Sequence, residues 1–242
     1  MPPVCAIVGA GEGLGSALAA KFCREGFDIA LVSRTGSGSA AALASASDAR
    51  SNPRVIHVAA DATSPETIER ALASTADQLG EIDVLIYNVR GTFARCEPLE
   101  MTYDALDEVL RLEVIGAFAA AKSVLPAMQR RGCGSIFFSS ATAAFRGSAT
   151  YPLYAIGKFG LRALSQSLTK AYARDGVHFV HVRLDCNLDV PVMRKLVGEG
   201  LDPETLVSPA DVADAYWLTY LQPRAAWTNE LELRPHTEEW TC

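Results

Sequence analysis

The sequence predicts an α/β fold, a doubly wound parallel sheet of about seven strands with helices on both faces. Three observations carry this. Short apolar runs alternate with longer helical patterns along the 242 residues. Most of the short runs are near-continuous in apolar residues, as strands buried on both faces are. A glycine-rich turn, Gly9-Ala10-Gly11-Glu12-Gly13-Leu14-Gly15, follows the first run directly. Alternation of this kind, with right-handed crossovers, leaves few other arrangements.

The elements follow in order. Val4–Val8 is the first strand, and Gly13–Glu25 the first helix, with Leu14, Ala17, Leu18, Lys21 and Phe22 on one stripe. Asp28–Val32 is the second strand. The Ser/Ala/Gly-rich stretch Thr35–Ser51 is read as a weak Ala-rich helix, and Arg54–Ala59 as the third strand. Ser64 is placed as the cap of the next helix, with Pro65 at its first position and Glu66 in its first turn. Val84–Asn88 and Ser135–Ser139 are strands, separated by a long helical pattern over Thr102–Gln129. Pro152–Arg174 is helical, Val177–Leu184 is the sixth strand, Ser208-Pro209 opens a helix near Ala210–Leu221, and Glu230–Leu233 is the last strand. No linker or internal repeat divides the chain. Residues 1–242 are read as one dinucleotide-binding and catalytic domain, with 189–207 as a candidate substrate lid within it.

Composition narrows the function. The net charge is −6, which disfavours a basic face for nucleic acid. The six cysteines, Cys5, Cys23, Cys96, Cys133, Cys186 and Cys242, have no C-x-x-C spacing, so neither a zinc site nor a disulfide framework is expected. No cationic leader precedes Val4–Val8 and no apolar run is long enough to span a bilayer. A cytoplasmic protein without membrane or nucleic-acid partners is expected.

The glycine turn gives the fold a ligand. A chain that turns sharply from strand to helix brings its backbone close to a pyrophosphate, and the free N–H groups of the helix N-terminus attract the diphosphate. This marks a Rossmann-type dinucleotide site. About 20 residues later the second strand ends in Val32-Ser33-Arg34. A carboxylate there would bind the ribose hydroxyls of NAD. A hydroxyl and a guanidinium suit the 2′-phosphate of NADP instead, so NADP(H) is preferred and NAD(H) possible. Glu12, in the turn itself, argues mildly the other way.

With the turn placed, the remaining motifs resemble the short-chain dehydrogenase/reductase family over nearly the whole chain. Val8–Gly15 is similar to its T-G-x-x-x-G-x-G, Asp61-Ala62 to its adenine-binding Asp, and Tyr87-Asn88-Val89-Arg90 to its N-N-A-G. Tyr154-Ala155-Ile156-Gly157-Lys158 looks like its Y-x-x-x-K at the start of a helix. The resemblance implies a nicotinamide-dependent oxidoreductase acting on a carbonyl or secondary alcohol. Tyr154 would exchange the proton, while Lys158 would favour its phenolate and hold the nicotinamide ribose. It also implies a cofactor cradle of Gly9, Gly13, Leu14, Gly15, Ser33, Arg34, Asp61, Ala62, Asn88, Val89, Tyr154, Lys158 and Val190.

The chain departs from that pattern in several places. The family's serine position, about 13 residues before the tyrosine, is Ala141, so Ser140 is chosen for the role with Thr142 in reserve. Glu113 stands where the family has a water-holding asparagine; it can hold a water or pair with Lys158, altering the pH optimum. Leu184-Asp185 replaces P-G, Val190 replaces a threonine, and Arg90 a glycine. These departures leave a second reading open, a catalytically impaired dinucleotide-binding sensor or scaffold. Pro191, Val192, Met193, Leu196 and Val197 of the lid, with Phe145, Tyr151 and Leu153, suggest a moderately hydrophobic substrate. The resemblance further implies a homodimer or homotetramer pairing through Thr102–Gln129 and Pro152–Arg174.

Overall fold

The computed structural model describes residues 1–40, 43–44, 53–91, 93–197 and 205–237. All seven anticipated strands form one parallel sheet. They are β1 (Val4–Val8), β2 (Asp28–Ser33), β3 (Val55–Ala59), β4 (Ile82–Tyr87), β5 (Gly134–Ala141) and β6 (Val177–Leu184), with the C-terminal strand Glu230–Leu233 at the far edge. Counting a small pair, β7 (Asn187–Leu188) and β8 (Leu206–Val207), that strand is β9, and the sheet order is β3-β2-β1-β4-β5-β6-β9. The β7/β8 pair was not foreseen. Two residues a side carry no periodicity, and only the parallel pairing of Asn187 with Leu206 reveals it.

Helices cover both faces. α1 (Leu14–Arg24) buries Leu14, Leu18, Phe22 and Cys23 on one face, beside α7 (Pro209–Tyr220), which adds Val212 and Tyr216. The other face holds α2 (Pro65–Leu79), with α3 (Tyr103–Leu110) lying against α5 (Pro152–Tyr172); α2, α4 (Gly116–Arg131) and α5 pack on Ala6, Leu85, Ile136 and Phe138. A short α6 (Pro191–Val197) lies in the lid segment. Ser208 caps α7, accepting from the Ala210 N–H at 3.2 Å. Ser64 stands at the cap of α2, but its hydroxyl donates to the Glu66 carboxylate at 3.0 Å instead of accepting a backbone N–H. Of the stretch 35–51, Gly36–Ser39 is a 3₁₀ turn, and residues 41–42 and 45–52 lie outside the described ones.

The pattern Thr102–Gln129 is not one regular helix. A π-helical turn, Arg111–Ile115, joins α3 to α4 with helical backbone throughout. The turn frees the Leu112 carbonyl, which accepts the Tyr87 hydroxyl at 2.5 Å. Gly116 lies where a Cβ would strike both the Tyr87 hydroxyl and the Ala62 carbonyl. The helix therefore presses directly on the ends of β3 and β4, and the π turn swings Glu113 into the interior. Strand order reverses between β1 and β4, so the crevice at their carboxyl ends is where this architecture binds ligands.

Candidate functional site

At the end of β1, Gly9 has φ +86°, and a Cβ there would come within 2.5 Å of the Asn88 carbonyl. The side chain of Asn88 returns the contact, donating to the Gly9 carbonyl at 3.2 Å. A Cβ on Gly15 would sit a tight 3.0 Å from Ala10 Cα. Gly13 faces Val190, whose methyl would sit 2.7 Å from an added Cβ. The N-terminus of α1 has no side-chain cap and no acidic residue in its first turn. This cradle fits a diphosphate, whose charge the uncapped amides favour. Leu14 anchors the helix in the core.

The adenine side continues along β2 and β3. The Ser33 hydroxyl lies 2.7 Å from Ser39 Oγ and 3.1 Å from His57 Nε2, while Arg34 is exposed beside it. Ser39 in turn donates to the Ala10 carbonyl at 3.0 Å, tying the β2 end to the glycine turn. Asp61 is exposed; its carboxylate accepts the backbone and side chain of Thr63, both at 2.9 Å. The Thr63 backbone bond chiefly, and Arg34 more weakly, hold its carboxyl below the usual range. Ala62 is half-buried and Val89 buried behind Asn88. His57 and Ser39 were not foreseen as neighbours of this site; a histidine in a strand and a serine in a Ser/Gly run carry no motif.

The Tyr154–Lys158 turn lies beside β4 and β5, on α5. Pro152 starts α5, putting Tyr154 in its first turn and Lys158 one turn on. The Lys158 ammonium lies 5.7 Å from the Tyr154 ring centre. Its hydrogen bonds go elsewhere: to Glu113 Oε2 at 2.8 Å, the Ser139 carbonyl at 3.3 Å and the Val89 carbonyl at 3.4 Å. Glu113 is wholly buried, and its other oxygen accepts the Gly91 N–H at 2.8 Å. Glu113 therefore pairs with Lys158, one of the two alternatives left open by the sequence. Burial chiefly, and the Glu113 and Asp61 charges more weakly, push the Tyr87 phenol up.

The two serines of β5 face opposite ways. Ser139 hydrogen-bonds Tyr216 of α7 at 2.8 Å. Ser140 follows the pleat to the side of Phe138 and α5, and its hydroxyl is buried with no partner. Thr142 is engaged with the Asp185 carboxylate, which also binds Arg234. Thr142 is therefore already committed, and Ser140 is the uncommitted hydroxyl. Phe93, half exposed, stacks on Tyr151 at 4.1 Å and meets Tyr154 edge-on at 5.3 Å. Arg90 lies over Phe93 at 5.5 Å. Phe145 is sandwiched between the guanidiniums of Arg162 and Arg183. Met193 is half-buried and Pro191 exposed; the side chains of Val192, Leu196 and Val197 lie outside the described residues. The β7/β8 pair ties the two ends of the lid segment together, and Asp189 N donates to Val207 O at 2.8 Å. Among the described residues, no group of His, Cys, Asp and Glu is arranged for a metal, and no helix is long and apolar enough to cross a membrane.

Comparison with known proteins agrees with this geometry. The family model for short chain dehydrogenases matches residues 3–188. An uncharacterized oxidoreductase of Staphylococcus epidermidis is 25% identical over 232 residues, 96% of both chains. The 1-deoxy-11-beta-hydroxypentalenate dehydrogenase of Streptomyces exfoliatus is 29% identical over 214 residues, 87% of this chain and 77% of its own. Among solved structures, a short-chain dehydrogenase from Rhodopseudomonas palustris superposes with a TM-score of 0.81 at 29% identity, covering 97% of this chain and 99% of that one. An alcohol dehydrogenase from Thermococcus sibiricus shares the fold, with a TM-score of 0.85 at 20% identity over 99% of both chains. The chain belongs to the short chain dehydrogenase family and is a nicotinamide-dependent oxidoreductase.

Proposed function

We propose that the chain is an NADP(H)-preferring reductase of a moderately hydrophobic ketone or aldehyde, or the dehydrogenase of the matching secondary alcohol. The observation that carries this is the Ser140 hydroxyl. A buried hydroxyl without a partner costs about 1–3 kcal/mol. Retained on the α5 side of the sheet, it is satisfied by a substrate oxygen. The bound nicotinamide supplies or accepts the hydride. In reduction, Ser140 donates a hydrogen bond to the carbonyl oxygen and Tyr154 gives that oxygen its proton. In oxidation the Tyr154 phenolate takes the proton back. Lys158 and Glu113 stand behind the tyrosine.

Gly9, Gly13, Leu14 and Gly15 hold the diphosphate, Asp61 and Ala62 the adenine, and Asn88, Val89 and Val190 flank the nicotinamide side. Ser33 and Arg34 favour a 2′-phosphate, because a guanidinium pairs with phosphate through strong charge-assisted bonds. The fold relative L-sorbose reductase of Gluconobacter frateurii is described with NADPH and L-sorbose bound, and the Thermococcus enzyme with 5-hydroxy-NADP. Residues 1–242 act as one domain, and 189–207 serves as the lid over the crevice. Ile115, Phe118 and Phe159 expose apolar surface on the π turn, α4 and α5, the helices through which a homodimer or homotetramer would form. A cytoplasmic location fits the described cysteines, which form no disulfide with one another.

Thermal-shift titration with NADPH, NADP, NADH and NAD, followed by turnover over a panel of carbonyls with Tyr154→Phe as control, tests the reading. Ligand that binds only the folded state stabilises by RT ln(1 + [L]/Kd), about 2.7 kcal/mol at a hundredfold excess over Kd. Larger shifts with the NADP pair and turnover lost in Tyr154→Phe are the expected results. No shift with any form removes the cofactor premise.

A further inference from the structure

We infer that Glu113 holds Lys158 as an internally neutralised pair, which withdraws its net charge from Tyr154. The inference rests on the proposed role of Tyr154 as proton donor. Three acceptors, Glu113 Oε2, Ser139 O and Val89 O, match the three donors of the ammonium. Both side chains are shut off from water, Lys158 at 3% exposure and Glu113 at 0%. At such burial the carboxylate cancels most of the field that an isolated ammonium would exert on a phenol 5.7 Å away.

The pair is built by more than two residues. The Gly91 N–H fixes the second carboxylate oxygen, and a Cβ on Gly91 would sit 3.0 Å from it. A Cβ on Gly157, inside the Tyr154–Lys158 turn, would fall 2.8 Å from Glu113 Cγ. Two glycines on separate elements thus leave the volume that the glutamate arm fills.

The other described groups around the tyrosine are untouched, in their hydrogen bonds and ring contacts, by exchanges at Glu113 and Lys158. Tyr87 donates to the Leu112 carbonyl, and Asp61 acts on Tyr87 from the end of β3. Tyr151 is stacked on Phe93, and Arg90 lies over that same ring. Asp185 is bound by Thr142 and Arg234, and Tyr216 bonds Ser139 on the far face. Tyr154 therefore remains a phenol to higher pH than an unpaired lysine would allow. Reduction, which consumes the phenol, keeps its rate into alkaline solution. Oxidation, which needs the phenolate, rises only there, and both directions share one limb.

The test uses the tyrosinate absorbance of the apo protein, with the Tyr154→Phe titration subtracted to isolate one phenol. In Glu113→Gln that ionisation moves to lower pH by more than about one unit, a tenfold rise in phenolate at fixed pH. In Glu113→Gln/Lys158→Met it returns to within about half a unit of wild type, because a neutral pair has been replaced by neutral groups. Glu113→Asn serves as the single variant should Glu113→Gln not fold. An unmoved ionisation in the single variant overturns the inference. So does a double variant that stays shifted. Failure of wild type to bind NADPH or turn over any carbonyl, with the phenol titrating as expected, overturns the functional reading and leaves the pair standing.

Discussion

Gly9→Ala is the sharpest test of how the cofactor turn is held, and Gly26→Ala is its matched control. Both glycines have nearly the same backbone, φ +86° at Gly9 and +90° at Gly26. A Cβ at Gly26 meets nothing within 4 Å, so alanine there costs the left-handed strain alone, about 1–2 kcal/mol. At Gly9 the same Cβ strikes the Asn88 carbonyl oxygen at 2.5 Å, its carbon at 2.7 Å and the Val89 nitrogen at 2.9 Å. These are backbone atoms, continuous with β4, and cannot rotate away. Overpacking of this kind adds about 1–3 kcal/mol, for a total of roughly 2–5. At about 2–4 °C per kcal/mol for a chain of this size, Gly9→Ala should melt about 10 °C below wild type and Gly26→Ala about 3–5 °C below. Calorimetry measures both. Coenzyme shifts should persist in Gly26→Ala and vanish in Gly9→Ala. Equal melting of the two variants would refute the claim that the Asn88 backbone fixes the turn.

Other outcomes follow from the same geometry. Ser140→Ala removes a buried hydroxyl that has no protein partner, so stability should hold or rise slightly while kcat falls about 10²–10³-fold, as for loss of a single oxyanion donor. A matched loss of stability would mean that Ser140 is structural. Arg34→Ala should raise the NADPH dissociation constant about 10–100-fold, the value of a charge-assisted bond, and leave NADH unchanged. Coenzyme fluorescence titration reads this, and an equal loss for both would displace Arg34 from the 2′-phosphate. Glu230 responds to acid. Burial pushes its carboxyl up, but hydrogen bonds from His181, Arg162 and Gln166 outweigh that and bring it to about 2, from 4.5. A lowered carboxyl stabilises the fold above its unfolded value. Glu230→Gln should therefore melt below wild type at pH 5 to 6, with the gap closing as pH falls from about 4.5 to 2. A gap unchanged across that range would rule the linkage out.

The sequence made the sheet legible because parallel strands buried on both faces, such as Asp28–Val32 and Val177–Leu184, need unbroken apolar runs. Helix existence was legible for the same reason, but not helix regularity. A π turn inserts one residue into a pattern that still reads as periodic, so Arg111–Ile115 looks like any other stretch of the long helix. The glycine turn was legible because a tight strand-to-helix turn requires it, and the Tyr154–Lys158 spacing because it resembles a family motif. Contacts between distant segments were not. Glu113 and Lys158 are 45 residues apart, and the sequence could offer pairing only as one of two outcomes. Phe93, His57 and Ser39 gave no signal at all, because an aromatic in a loop or a hydroxyl in a Ser/Gly run is uninformative until the fold brings it to the site.

The role proposed for Ser140 turns on the pleat of β5. Ala141 stands 13 residues before Tyr154 and Ser140 stands 14 before it. β5 is still extended at Ala141, with φ −150° and ψ 172°, so alternation continues to its end. Phe137 and Ser139 face α1 and α7, and Ser139 is spent on Tyr216 there. By the same alternation Ala141 points to that face, so a hydroxyl at position 141 would point away from α5. Ile136, Phe138 and Ser140 face α5, and of these only Ser140 carries a hydroxyl. The connection from strand to helix is one residue longer than the common spacing. At position 140 the hydroxyl stays on the pleat face that packs on α5, the face the proposed role requires.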